Sequence, residues 1–210
     1  YVIFSVATTP KQVRSINKYI SDTVKSSEGL MTGLGALHPE SEDIEGDIAD
    51  IISLGLKGVK MHPDFQKFNI DDECAEKFYR AVGSRLPILF HVGDDRYDYS
   101  NPHRLVRMAK KYPEVNFIAA HFGGYRCWGE SEIYLGLDNV YFDTCSSLPF
   151  ISTERAKELI DMHGADRFFF ATDFPMWDTV AELERFNKIP LTDEQREMIF
   201  SKNIKKLLKI

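Results

Sequence analysis

Short apolar runs alternate with amphipathic stretches along the whole chain. Seven runs read as strands: Val2–Ala7, Met31–Leu37, Gly58–Met61, Pro87–His91, Asn116–His121, Val140–Thr144 and Arg167–Thr172. Strand cores such as Ile88–Phe90 and Phe168–Ala171 are apolar at consecutive positions, the pattern of a parallel sheet covered on both faces. Helical periodicity predicts helices over Pro10–Ser26, Ile44–Leu54, Asp72–Leu86, Pro102–Tyr112, Ser131–Leu137 and Thr153–His163. Three more, Val180–Asn187, Asp193–Ser201 and Asn203–Lys209, follow the last strand. Pro10 and Pro102 suit first-turn positions, and Ser152–Thr153 before Glu154 offers capping oxygens. Successive strands begin roughly 25–30 residues apart, the length of one βα unit with its crossover helix. With no linker and no low-complexity stretch, residues 1–210 read as a single domain.

Parallel strands with intervening helices fit an open doubly wound sheet or a (β/α)8 barrel. A nucleotide-binding doubly wound sheet needs a glycine-rich turn after an early strand, and the turn after Val2–Ala7 reads TTPKQV. The barrel is therefore the expected fold, a TIM barrel that lacks its first strand in this chain. The chain opens on Tyr1 in the middle of an apparent strand, and the expectation is that further residues precede it.

The polar residues give the pattern its chemistry, because a barrel builds its active site from the carboxyl ends of its strands. His38 follows the second apparent strand, Lys60 and His62 end the third, His91 the fourth, His121 the fifth and Asp173 the seventh. His103 and His163 fall in helical segments and read as surface or packing residues. His38 alone is more readily a satisfied loop histidine than a ligand. His91, His121 and Asp173, each terminating an apolar strand, together point to a site. Neutral imidazoles and a carboxylate are ligands for zinc or a similar divalent ion, which activates water and polarises a carbonyl. No GxSxG elbow supports a serine hydrolase, and Cys127 in GGYRCWGE reads as a loop thiol.

Composition narrows the partners. With 26 basic and 32 acidic side chains the formal charge is −6, and no basic stripe invites nucleic acid or an anionic membrane. No window approaches the ~18 apolar residues of a membrane span, and three cysteines without CxxC spacing make no disulfide framework. A cytoplasmic protein acting on a small molecule is the expectation.

The motifs GVKMHPDFQ, ILFHVG, AAHFGG and ATDFPM, in this order, resemble the amidohydrolase superfamily. Within it they resemble amidohydrolase family 2, the metal-dependent TIM-barrel hydrolases and decarboxylases related to aminocarboxymuconate-semialdehyde decarboxylase. The resemblance spans about residues 1–208, including Asn203 before the helical leucines. It implies His91 and Asp173 as metal ligands, His121 as a contact to the metal-bound water or substrate, and Asp173 as proton acceptor. Lys60 and His62 are implied substrate contacts. Arg126, Trp128 and Trp177, on loops past strand ends with Phe65, Gln66 and Tyr125, are expected to line the pocket, with Arg126 able to clamp a carboxylate. Gly123 and Gly124 are read as allowing close backbone approach after His121.

One departure stands out: the family's first strand carries an HxH pair of ligands, and this sequence contains none. One divalent ion, zinc before manganese, is the implied cofactor, with weakened affinity because the HxH is absent. The leading expectation is a metal-dependent hydrolase of an amide, lactone or ester. The alternative is a non-oxidative decarboxylase of a small, perhaps aromatic, acid, and a third reading is a non-catalytic binding module. The resemblance also allows a homodimer.

Overall fold

The computed structural model describes all 210 residues. Its strands are β1 (Val2–Ile3), β2 (Thr32–Gly33), β3 (Gly35–Ala36), β4 (Val59–Met61), β5 (Ile88–Phe90), β6 (Phe117–Ala119), β7 (Val140–Asp143) and β8 (Phe168–Phe169). β2 and β3 are two halves of the apparent strand at 31–37, broken at Leu34: β2 pairs with β1 and β3 with β4. From β3 the order runs β3-β4-β5-β6-β7-β8, and every pair is parallel. No hydrogen-bonded ladder joins β8 to β1.

Side-chain partition shows that this sheet is curled. Ile88 and Phe90 of β5 belong to a core of 39 buried residues shared with the helices. Leu89, between them, faces the other way and meets Leu34, Ile118, Phe169 and Leu208 in a second, small cluster. Leu34 and Phe169 come from opposite ends of the strand order, so a flat sheet could not bring them together. The sheet wraps around them as a barrel wall does, with alternate residues pointing inward. Ile204, Leu207 and Leu208 plug the interior from the last helix. Asn203 at the start of that helix donates from Nδ2 to Ala165 O (2.8 Å) and Phe168 O (2.9 Å), which ties the plug to β8.

The helices are α1 (Val13–Ser26), α2 (Ile44–Ser53), α3 (Pro63–Gln66), α4 (Glu73–Val82), α5 (Pro102–Lys111), α6 (Thr153–His163), α7 (Thr179–Asn187), α8 (Asp193–Glu197) and α9 (Asn203–Leu208). Pro102 opens α5 behind an Asn101 cap, and Ser152 caps α6 by accepting from Arg155 N. The stretch predicted as a helix over Ser131–Leu137 forms a 3-10 segment, Trp128–Tyr134, kinked at Glu130. The helix α3 went unpredicted: at four residues, PDFQ is too short for periodicity to register. No helix is long and apolar enough to cross a membrane.

Candidate active site at the carboxyl ends of the strands

Each strand from β4 to β8 delivers a polar side chain to one end of the barrel. His91, just past β5, and His121, past β6, meet directly: His121 Nε2 lies 2.9 Å from His91 Nδ1. His121 sits in the left-handed region (φ 63°), as do Phe122 (φ 54°) and Gly123 (φ 87°), so the chain coils sharply as it leaves β6. Asp143 at the end of β7 holds that coil, its Oδ1 accepting from His121 N at 2.9 Å while its carbonyl accepts from Phe122 N at 2.8 Å. A β-carbon on Gly123 would come 2.8 Å from the Tyr134 ring, so the reading of close approach there is correct. Gly93 is as constrained, at φ 82° with Tyr125 N only 2.5 Å from where a β-carbon would be.

The histidine pair is hydrogen-bonded at both ends. His121 Nδ1 faces both the Cys145 carbonyl at 3.1 Å and Cys145 Sγ at 3.2 Å. Burial lowers the His121 pKa and keeps the ring neutral, so one hydrogen is shared between its Nε2 and His91 Nδ1. On its other side His91 Nε2 meets the Gly93 carbonyl at 2.9 Å. Burial also drives the His91 pKa far down, with His121, His62 and Lys60 adding to the effect.

Asp173 sits past β8 with a left-handed backbone (φ 57°), and its Oδ2 accepts from Ser146 Oγ at 2.8 Å. Ser146 Oγ in turn accepts from Trp177 Nε1 at 3.0 Å, so Trp177 acts through Ser146 on Asp173. Lys60, on β4, is buried with no hydrogen bond or ion pair; burial lowers its pKa, against the pull of Asp143, Cys145 and Asp173. His62 stacks on His91 (ring centroids 4.0 Å apart) and on Phe65 (3.8 Å). Its pKa is pushed down to about 3 by burial, then by Lys60 and His121. Asp64 at the start of α3 is buried beside both, 3.7 Å from His91 Nε2. Gln66 donates from Nε2 to Ala7 O and Leu37 O and accepts from His62 N through Oε1, lacing the loops after β1, β3 and β4.

Beyond His121 an aromatic wall begins. Tyr125 is 5.8 Å from the His121 ring, Trp128 and Phe150 pack around Tyr125, and Trp177 stands edge-on to Phe150 at 5.6 Å. Trp128 is fixed by donating from Nε1 to His121 O at 2.9 Å. Arg126 is exposed, its guanidinium 3.9 Å above the Phe150 ring.

The structure therefore gathers His91, His121, Lys60, His62, Asp173 and Trp177 at one mouth, with Trp128 and Arg126 at its rim. His38 lies apart as a satisfied loop histidine, Nδ1 accepting from Glu40 N. His103 is an exposed helix residue paired with Glu130, and His163 packs on Phe142. Sequence reasoning passed over Asp64, Asp143, Cys145, Ser146 and Phe150. Asp143 and its neighbours carried a signal of the same kind as Asp173, a polar run, DTCSS, closing an apolar strand.

A family model described as Amidohydrolase (Amidohydro_2) matches residues 4–210. This chain belongs to the amidohydrolase family. No curated protein matches it by sequence. Among solved structures this amidohydrolase is similar to 5-carboxyvanillate decarboxylase from Sphingomonas paucimobilis, with TM-score 0.80 and 16% identity over 96% of this chain and 73% of that one. It is similar to dihydroxybenzoic acid decarboxylase from Polaromonas sp. JS666, determined with bound manganese and the inhibitor 2-nitroresorcinol. There the TM-score is 0.76 and the identity 18%, over 99% of this chain and 78% of that one. A TIM-barrel protein from Bordetella bronchiseptica gives TM-score 0.81 at 19% identity, over 92% and 72% of the two chains. The expected (β/α)8 architecture stands.

Proposed function

We propose that this amidohydrolase is a divalent-metal-dependent, non-oxidative decarboxylase of a small aromatic carboxylic acid. The observation that carries the reading is the ring-lined mouth. The His91–His121 pair is flanked by His62 and Phe65 on one side and by Tyr125, Trp128, Phe150 and Trp177 on the other. Flat apolar walls suit a planar ring, since stacked and edge-on aromatic contacts add to area burial. The structural relatives that act on hydroxylated benzoic acids support this over the hydrolysis that the motifs alone favoured.

The residues fit a metal ion, because a buried imidazole held neutral, His91, and a carboxylate with one oxygen outside the Ser146 bond, Asp173, are donors that a divalent ion takes. His91 and Asp173 would hold it, with manganese or zinc compatible with imidazole and carboxylate donors. Bound there, it would supply positive charge to oxygens of the substrate. The protein's own groups account for the rest. Arg126 at the rim meets the substrate's negative charge, and the aromatic walls exclude water from the ring. Asp173, steered by Ser146 and Trp177, is the group that passes a proton from solvent water through the oxygen that Ser146 leaves free. That proton passes to the ring carbon bearing the carboxylate and forms a C–H bond. The C–C bond then breaks, its electron pair restores the aromatic ring, and carbon dioxide leaves; water returns the proton to Asp173. His121 keeps Nε2 towards His91 and fixes that ring's orientation.

The test is a panel of 2-hydroxybenzoates set against esters, lactones and amides, with Mn2+ or Zn2+ present. Carbon dioxide release from the benzoates and no hydrolysis is the expected result; hydrolysis without carbon dioxide refutes the reading.

A further inference from the structure

Cys145, just past β7, is buried and meets His121 on the side of the ring away from His91. Its Sγ lies 3.0 Å from Asp143 Oδ1 and 3.2 Å from His121 Nδ1. Its carbonyl lies 3.1 Å from the same Nδ1 and is itself held by Ser147 Oγ, which donates to it at 3.1 Å. Asp143 Oδ1 also accepts from His121 N at 2.9 Å and from Cys145 N at 3.2 Å, so one carboxylate oxygen gathers the ends of β6 and β7. A buried cysteine that only fills space behaves as a small hydrophobe among apolar neighbours. This one stands between a carboxylate and an imidazole.

The contacts give the thiol a direction. A carboxylate oxygen only accepts hydrogen bonds, and so does a carbonyl. Burial pushes the Cys145 pKa up, with Asp143 and Asp173 adding to the effect, so the group is a thiol with one hydrogen to give. Given to Asp143, that hydrogen leaves sulfur lone pairs towards His121, and the Cys145 sulfur and carbonyl present two acceptors to Nδ1. Given to His121 instead, it would set sulfur against Asp143 Oδ1 at 3.0 Å and a bare Nδ1 against the Cys145 carbonyl at 3.1 Å. The first arrangement satisfies all three contacts, the second only one. We propose that Cys145 is a positioning residue: its thiol donates to Asp143 Oδ1, and its sulfur and carbonyl accept from His121 Nδ1, which holds the His121 ring with Nε2 towards His91. The ring needs such a tie, because the chain leaves β6 through left-handed backbone at His121 (φ 63°) and Phe122 (φ 54°), where no strand ladder fixes it. The hydrogen position stands on these contacts alone; an effect on turnover rests on the proposed decarboxylation.

The experiment labels the six histidines with 15N and reads both ring nitrogens of His121 by proton–nitrogen NMR at neutral pH, in the parent, Cys145→Ala and Cys145→Ser. The His121 signals are assigned by their absence from His121→Asn. In the parent the hydrogen is expected on Nδ1, with Nε2 as the bare nitrogen. Cys145→Ala leaves the carbonyl as sole acceptor and should speed exchange of the Nδ1 hydrogen with water at least about tenfold, the scale of one lost buried hydrogen bond. Cys145→Ser keeps both a donor and an acceptor and should bring exchange back to within about threefold of the parent. In the decarboxylation assay kcat should fall about tenfold in Cys145→Ala with KM within about twofold, and recover in Cys145→Ser. A residue that only fills space would lower Tm and leave ring exchange as it is. The proposal is overturned if the parent ring carries its hydrogen on Nε2, a result that needs no variant to fold, or if Cys145→Ala leaves Nδ1 exchange unchanged. Ring signals that respond to Cys145 in a protein that releases no carbon dioxide would sink the proposed activity and leave this assignment intact; carbon dioxide release with ring signals indifferent to Cys145 would do the reverse.

Discussion

Replacing Gln66 with leucine should unlace the barrel mouth at measurable cost. The Gln66 side chain is buried and makes three hydrogen bonds, to Ala7 O at 2.8 Å, to Leu37 O at 2.7 Å and from His62 N at 2.9 Å. Leucine has nearly the same volume, so the cavity term is small and the loss is polar. Each broken bond costs about 1 kcal/mol net, and more where the abandoned group finds no water. Three bonds give about 3 kcal/mol. For a chain of this size, 1 kcal/mol moves Tm by about 2–4 °C, so a drop of about 6–12 °C is expected. Urea unfolding should show a lower midpoint at unchanged slope, because the surface exposed on unfolding stays the same. The damage should also reach the site, since His62 takes its backbone position from Gln66 Oε1. A loss below about 1 kcal/mol would refute the reasoning, for it would mean that these carbonyls and the His62 amide find other partners.

Other substitutions separate the roles at the mouth. His121→Asn should lower metal affinity or turnover by about 10–100-fold, the scale for losing a partner that orients a ligand, whereas His91→Ala should strip the metal; kinetics beside metal analysis checks both. Gly93→Ala should destabilise the protein and abolish activity, because its left-handed backbone and the Tyr125 main chain leave no room for a β-carbon; a normal melting curve would contradict this. His163 is held neutral by burial, its pKa lowered to about 4, so the unfolded chain binds the extra proton once pH falls below about 6.5. Stability is full above that value and declines from there towards pH 4. His163→Phe should shrink the loss between pH 7 and pH 5 by about 1 kcal/mol after allowance for partial exposure, read from urea midpoints at each pH.

Why some of this was legible in the sequence follows from scale. Strand cores such as Ile88–Phe90 announce themselves because both faces of a parallel strand are buried, and their spacing fixes the βα repeat. His91, His121 and Asp173 were visible because a polar residue ending an apolar strand breaks the local pattern. Asp64 did not break one: it sits in a turn, where carboxylates are ordinary, and its burial beside His62 and His91 exists only once the chain is folded. The link from Trp177 through Ser146 to Asp173 spans 31 and 27 residues of separation, which no local pattern encodes. The tight coil at His121 was half legible, since Gly123 and Gly124 marked a turn but the anchor, Asp143, belongs to the next strand.

The most direct test of the account is proton incorporation during turnover. A carboxyl-labelled 2-hydroxybenzoate that the protein accepts is incubated in deuterium oxide with Mn2+, and the product is read by proton and carbon NMR. The account expects one labelled carbon dioxide for each product molecule, with a single deuterium on the ring carbon that carried the carboxylate. It also expects Asp173→Asn to slow both by at least about 100-fold. Release of carbon dioxide unaffected by Asp173→Asn, or consumption of substrate with the carboxylate retained, would contradict it.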